Sequence, residues 1–106
     1  MKITLSLSFV AIGMFSSGSA SAKDHAVSQK GKAFAVEEIT VAAGDAVTFK
    51  NDDETSHNVF SSTEGAKFNL GIQKPGLESS QKFATAGTFE VRCAIHPKMK
   101  LKVVVK

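Results

Sequence analysis

Phe89-Glu90-Val91-Arg92-Cys93-Ala94-Ile95-His96-Pro97-Lys98-Met99-Lys100-Leu101-Lys102-Val103-Val104-Val105 is the stretch that decides how this chain folds. Phe89, Val91 and Cys93 share one parity, and Glu90 and Arg92 share the other, which is the period of a half-buried β-strand. Leu101, Val103 and Val105 resume the pattern, with Lys100, Lys102 and Lys106 pointing outward. Val104 breaks it, as a strand near an edge or partly covered does. Parity aims the Cys93 thiol at the core, at the end of its strand. The seven residues from Cys93 to Met99 then set a thiol, an imidazole and a thioether at Cys-x2-His-x2-Met spacing, and Cys93 is the only cysteine. Pro97 stiffens this loop by fixing its own φ and restricting His96.

The same period-two pattern recurs upstream. Ile39-Thr40-Val41, Val47-Thr48-Phe49, His57-Asn58-Val59-Phe60, Phe68-Asn69-Leu70 and Gln81-Lys82-Phe83 are short candidate strands. Ala42-Ala43-Gly44-Asp45, Asn51-Asp52-Asp53-Glu54, Gly65, Pro75-Gly76 and Ala86-Gly87 punctuate them as turns. No stretch keeps helical apolar spacing for long. Short strands at this density predict an all-β fold, a sandwich or barrel of about 7–8 strands.

The first 22 residues are expected to stand apart from that fold. Lys2 is followed by the apolar run from Ile3 to Phe15, and Ala20-Ser21-Ala22 ends the segment in the small-residue pattern of a secretory cleavage site. The run is shorter than the roughly 20 residues a membrane span needs. Residues 23–106 are therefore expected to form one exported, periplasmic domain. Setting Lys2 aside from the 13 basic side chains leaves a formal charge of +2 against 10 acidic ones, too small to imply nucleic acid or membrane binding. Exported domains this small usually carry a disulfide or a metal, and one cysteine closes no internal disulfide. A metal held through Cys93 is the remaining staple.

His57-Asn58-Val59 lies in a separate segment and supplies a second imidazole. Two His and one Cys in a trigonal set, with a weak axial Met, is the ligand set of a blue-copper electron-transfer site. His57, Cys93, His96 and Met99 are the candidate ligands of one mononuclear copper. His25 has no comparable pattern around it and reads as an ordinary surface residue. A nucleophilic Cys93–His96 dyad would need an orienting third group and a cleft, and neither is evident. The reading is thus not an enzyme. Structural zinc would favour more thiolates or imidazoles than this set offers. A copper carrier or buffer shares the same ligands. It would gain from an open, Met- or His-rich site, whereas the chain after residue 22 has a single Met.

Gly44-Asp45-x-Val47-Thr48-Phe49-x-Asn51, His57-Asn58-Val59, Cys93-x2-His96-Pro97-x-Met99 and the terminal Val-rich strand together resemble a small cupredoxin of the plastocyanin/amicyanin group. The short spacing between Cys93, His96 and Met99 is closer to the amicyanin side of that group. The resemblance implies a Greek-key sandwich with the four ligands converging at one end, and Asn58 bracing the His57 segment against the ligand loop. It also implies a monomeric carrier of single electrons between redox proteins, such as a c-type cytochrome or a periplasmic dehydrogenase or oxidase. The edge of His96 would be the electron port, ringed by Ile95, Pro97, Leu70, Ile72 and Leu77. Lys74, Lys98 and Lys100 are expected to border that patch and steer an acidic partner.

Overall fold

The computed structural model describes residues 22–106, so the expected leader lies outside the described residues except for Ala22. The strands are β1 (Asp24–Gln29), β2 (Glu38–Val41), β3 (Asp45–Asn51), β4 (His57–Ser61), β5 (Phe68–Gln73), β6 (Glu78–Phe83), β7 (Gly87–Arg92) and β8 (Lys100–Val105). No helix occurs among the described residues. One sheet has the order β1-β3-β6 and the other β2-β8-β7-β4-β5. Pairing is antiparallel except at β1–β3 and β2–β8, where strands distant in sequence lie parallel. The all-β, two-sheet architecture agrees with the alternation in the sequence.

The inner faces make the core. Val47 and Phe49 from one sheet and Val59, Val91 and Val103 from the other are fully buried. Each such side chain withdrawn from water stabilises the fold by about 1.5–3 kcal/mol. Phe83 bridges Phe68 and Phe89 at centroid distances of 5.8 and 6.3 Å. β7 and β8 follow the predicted parity: Phe89, Val91, Cys93, Leu101, Val103 and Val105 are buried, and Val104 is half-buried.

β1 carries no clear signal in the sequence because half of its buried face is polar. Val27 and Gln29 point inward, and Gln29 is fully buried. The Gln29 side-chain amide donates to Gln73 Oε1 at 2.7 Å, and Gln73 Nε2 donates to the Phe49 carbonyl at 2.8 Å. Asn51, also fully buried, donates to the carbonyls of Thr55 and Gln73. These amides join the two sheets beside the end where the candidate ligands lie.

His25 differs from its expected surface role. Its ring is half-buried, and Nε2 lies 2.9 Å from Oδ2 of the buried Asp45. The Asp45 carboxylate also accepts from the backbone of Lys23 and Ala42. The Lys23 bond foremost, then those of His25 and Ala42, hold its pKa down at about 2. An unfolded Asp titrates near 3.9. Because the folded value is the lower one, the contribution of Asp45 is complete above about pH 4 and is lost as pH falls through about 2. Thermal melts across that window should show a smaller acid-induced loss for Asp45→Asn than for the parent. Equal losses would contradict this role.

Candidate metal centre

Three neighbouring strands of the five-stranded sheet bring the expected ligands to one end. His57 opens β4, Cys93 follows β7, and Met99 precedes β8. His57, Cys93 and Met99 are buried at 0, 1 and 2 % exposure, while His96 is half-buried. Next to the site, β5 carries an extra residue opposite β4: the register slips between Asn58 and Phe60. Gly71 takes the slack at φ 80°, a left-handed conformation that suits glycine at a bulge.

Among the described residues, His57, Cys93 and His96 each bring a ligand atom within 4.8 Å of the others. The two Nδ1 atoms are 3.1 Å apart, and Cys93 Sγ lies 4.0 Å from Nδ1 of His57 and 3.7 Å from that of His96. A point equidistant from the three atoms sits about 2.1 Å from each, within the 2.0–2.3 Å typical of nitrogen and thiolate bonds to a first-row metal. The arrangement therefore fits one ion in a trigonal plane. Met99 is buried just after the loop, and its N–H donates to the His96 carbonyl at 2.9 Å, closing a turn.

The surroundings fix the Cys93 and His57 donors before any metal arrives. Asn58 N–H points at Cys93 Sγ at 3.3 Å and holds the sulfur in position. The Asn58 side chain accepts from Ala94 N–H at 3.1 Å and donates to Asn69 Oδ1 and the Gly71 carbonyl at 2.9 and 3.0 Å. That is the brace between the His57 strand and the ligand loop implied by the resemblance. Arg92 adds a tie the outward parity of its position conceals: Nη2 donates to the Pro97 carbonyl at 2.8 Å.

Asp53 is the contributor that sequence reading missed, hidden among the acidic residues of a turn. Its Oδ2 lies 3.0 Å from His57 Nε2 and accepts Lys32 N–H at 2.8 Å. Lys32 adopts φ 58°, which brings this amide to the carboxylate. The Lys32 and Glu54 amides, with His57, hold the Asp53 carboxyl well below the usual range. An ionised Asp53 accepts the Nε2 proton of His57, so Nδ1 presents its lone pair to the site. This orienting carboxylate serves His57, not the Cys93–His96 pair, and lies on the far side of the His57 ring from Cys93. For His96, burial foremost, then His57 and Lys32, push the pKa down, favouring the neutral ring a ligand needs. Asp53→Asn should weaken copper affinity by about 10–100-fold in competition with a chelator, as loss of such outer partners commonly does. Unchanged affinity would mean that the ring is held by packing alone.

One thiolate, two imidazoles and a buried thioether nearby on a two-sheet sandwich define a site of the type 1 copper class. The chain belongs to the plastocyanin/azurin family of copper-binding proteins, whose pattern it matches over residues 21–106. It is 40% identical over 78 residues to Amicyanin-alpha of Methylorubrum extorquens (strain ATCC 14718 / DSM 1338 / JCM 2805 / NCIMB 9133 / AM1), covering 69% of this chain and 64% of that protein. Two solved structures of amicyanin variants are similar. A copper(I) form superimposes with a TM-score of 0.72 at 29% identity, covering 77% of this chain and 81% of that one. A reduced form does so at 0.74 and 28%, covering 83% and 87%. A purple cupredoxin from Nitrosopumilus maritimus shares the fold, at a TM-score of 0.70 and 22% identity over 77% of this chain and 99% of that one.

Proposed function

We propose that residues 23–106 form a periplasmic electron carrier released from a leader of residues 1–22, holding one copper through His57, Cys93 and His96 with Met99 as the weak axial donor. The convergence of three ligand atoms, with His57 held by Asp53 and Cys93 by Asn58, carries this reading. Copper bound there supplies one-electron Cu(II)/Cu(I) chemistry. The chain's part is to hold the donors in one arrangement for both oxidation states. Asn58, Asp53 and Arg92 do this by tying the ligand segments to the sheet and to each other. Burial of His57, Cys93 and Met99 excludes water and slows exchange of the metal, which favours electron transfer over copper delivery. No substrate is transformed.

His96 is the candidate ligand that reaches the surface. Its ring borders a shallow depression with Lys32, Ile95, Pro97 and Lys98. Ile72, paired with Asn58, and Leu77, whose carbonyl accepts Asn51 N–H, add exposed apolar surface at the same end. Leu70 is half-buried and packs against the core instead. Small apolar patches with a charged rim suit brief docking, with interfaces below about 1,200 Å². Lys98 borders the port as expected, and Lys32 joins it. Lys100 pairs with Arg92 on the outer sheet face, in a groove that also holds Glu37 and Glu90.

The partner is accordingly a redox protein with an acidic rim around its own port, such as a c-type cytochrome or a periplasmic dehydrogenase or oxidase. Exchanging Lys32 and Lys98 for Glu together should lower the bimolecular transfer rate about tenfold at low salt and remove its decline with ionic strength. A parent rate insensitive to salt would contradict steering by these lysines. The function itself is tested by voltammetry of the copper-loaded domain. A reversible one-electron couple supports it, and a metal that leaves on reduction contradicts it.

A further inference from the structure

We propose that the amino terminus created by removal of residues 1–22, Lys23-Asp24-His25, is a second copper(II) site, separate from the Cys93 centre. It rests on the processing reading above, a cut after Ala20-Ser21-Ala22. That cut converts the backbone nitrogen of Lys23 from an amide into a primary amine. A free amine with histidine at the third position offers four nitrogens that can lie in one plane. They are the amine, the backbone nitrogens of Asp24 and His25, and Nδ1 of His25. Neither Asp24 nor His25 is proline, so both backbone nitrogens carry a removable proton. Fused chelate rings close through the chain itself, and four nitrogens in a square plane are what copper(II) and nickel(II) favour. The register is strict, because one added residue puts the imidazole in the fourth position.

The fold leaves this terminus accessible and orients its imidazole. Lys23 and Asp24 are exposed, and β1 is an edge strand of its sheet. His25 Nε2 lies 2.9 Å from Oδ2 of Asp45, whose side chain is 7 % exposed. With the Nε2 proton donated to that carboxylate, Nδ1 on the backbone side of the ring carries the lone pair the chelate needs. A carboxylate behind an imidazole is the usual outer partner of a metal-bound histidine. Lys23 N lies 3.0 Å from Oδ1 of the same carboxylate, so the new amine is held beside His25.

Metal binding passes the ammonium proton and the two amide protons to solvent. It also turns residues 23–25 out of the extended geometry in which β1 begins. The ladder gives up its first rungs, Asp24↔Ala46 and His25↔Val47, while the buried Val27 and Gln29 stay in place. Only these end rungs are given up, and the pairing from Ala26↔Thr48 to Gln29↔Asn51 remains. Lys106 and Thr40 border the same depression and crowd one side of it without supplying a competing imidazole.

The test adds nickel(II) to protein made to begin at Lys23 and first given one equivalent of copper(I), which the thiolate centre takes and the planar nitrogens do not. Planar nickel(II) bound to deprotonated amides is yellow and diamagnetic, and the reduced Cys93 centre adds no colour. One equivalent should bind in this form. The same protein with Ala22 retained ahead of Lys23, and His25→Ala, should each bind it about tenfold or more weakly. Absence of the yellow complex from the chain beginning at Lys23, or an equal response with Ala22 retained, overturns the proposal. The mass of the protein exported from cells is a separate readout: a terminus other than Lys23 contradicts the processing, not the chelate.

Discussion

Cys93→Ser is expected to abolish the intense visible absorption of the copper-loaded protein and most of the stability that copper confers. The thiol sits at the end of β7 with 1 % exposure, where Asn58 N–H reaches it at 3.3 Å and both imidazoles lie within 4.0 Å. Serine keeps the shape but offers no thiolate, and the strong colour of such a site comes from the bond between sulfur and copper(II). Ligand binding stabilises a fold by about 2.7 kcal/mol at 100 times its Kd. In a domain of this size that corresponds to roughly 10–20 °C in Tm. The parent should show a rise of that order on adding copper, and Cys93→Ser little of it. The metal-free forms should differ by only about 1–2 kcal/mol, the cost of burying a hydroxyl in place of a thiol. Comparing melts with and without copper separates the two effects. A blue Cys93→Ser protein, or equal copper-induced rises, would remove Cys93 from the site.

Asn58→Ala is expected to cost more stability than any other single change among the polar residues of the site. The side chain satisfies Ala94 N–H on the ligand loop and the Gly71 carbonyl at the β5 bulge, and it contacts Asn69. Alanine leaves those groups without their partner at a position only 4 % exposed. A buried polar group stranded in this way costs about 1–3 kcal/mol, so the combined loss is roughly 2–4 kcal/mol. A domain of this length has a total of about 4–13 kcal/mol. Denaturant unfolding of the metal-free protein measures the loss without a contribution from copper. The ligand loop also loses its tie to β4, so the reduction potential of the copper form should move as well. A midpoint unchanged by the substitution would show that the sheet alone holds the loop.

The ligand loop was legible because its two flanking strands bury one face cleanly. Alternation in Phe89, Val91 and Cys93 and again in Leu101, Val103 and Val105 leaves one arrangement in which the thiol points inward, and the structure adopts it. β1 was not legible, because Gln29 occupies a core position on the strength of a bond to Gln73 that lies 44 residues away. Polar residues read as surface unless their partner is known. Asp53 was hidden for the same reason: its bond to His57 spans only four residues, but the turn that permits it depends on Lys32 from another loop. Arg92 faces outward by parity, as expected, yet reaches back to the Pro97 carbonyl. His25 looked isolated because its partner, Asp45, is 20 residues distant. The donors are chemically distinctive and announce themselves, whereas the groups that orient them are ordinary residues made specific by the fold.

The trigonal thiolate centre is tested most directly by the visible and EPR spectra of the copper(II)-loaded domain. An intense blue absorption with the small copper hyperfine splitting of a covalent copper–thiolate bond is the predicted result. A colourless protein with the wide splitting of copper held by nitrogen and oxygen alone, or one that takes up only copper(I), would contradict the account.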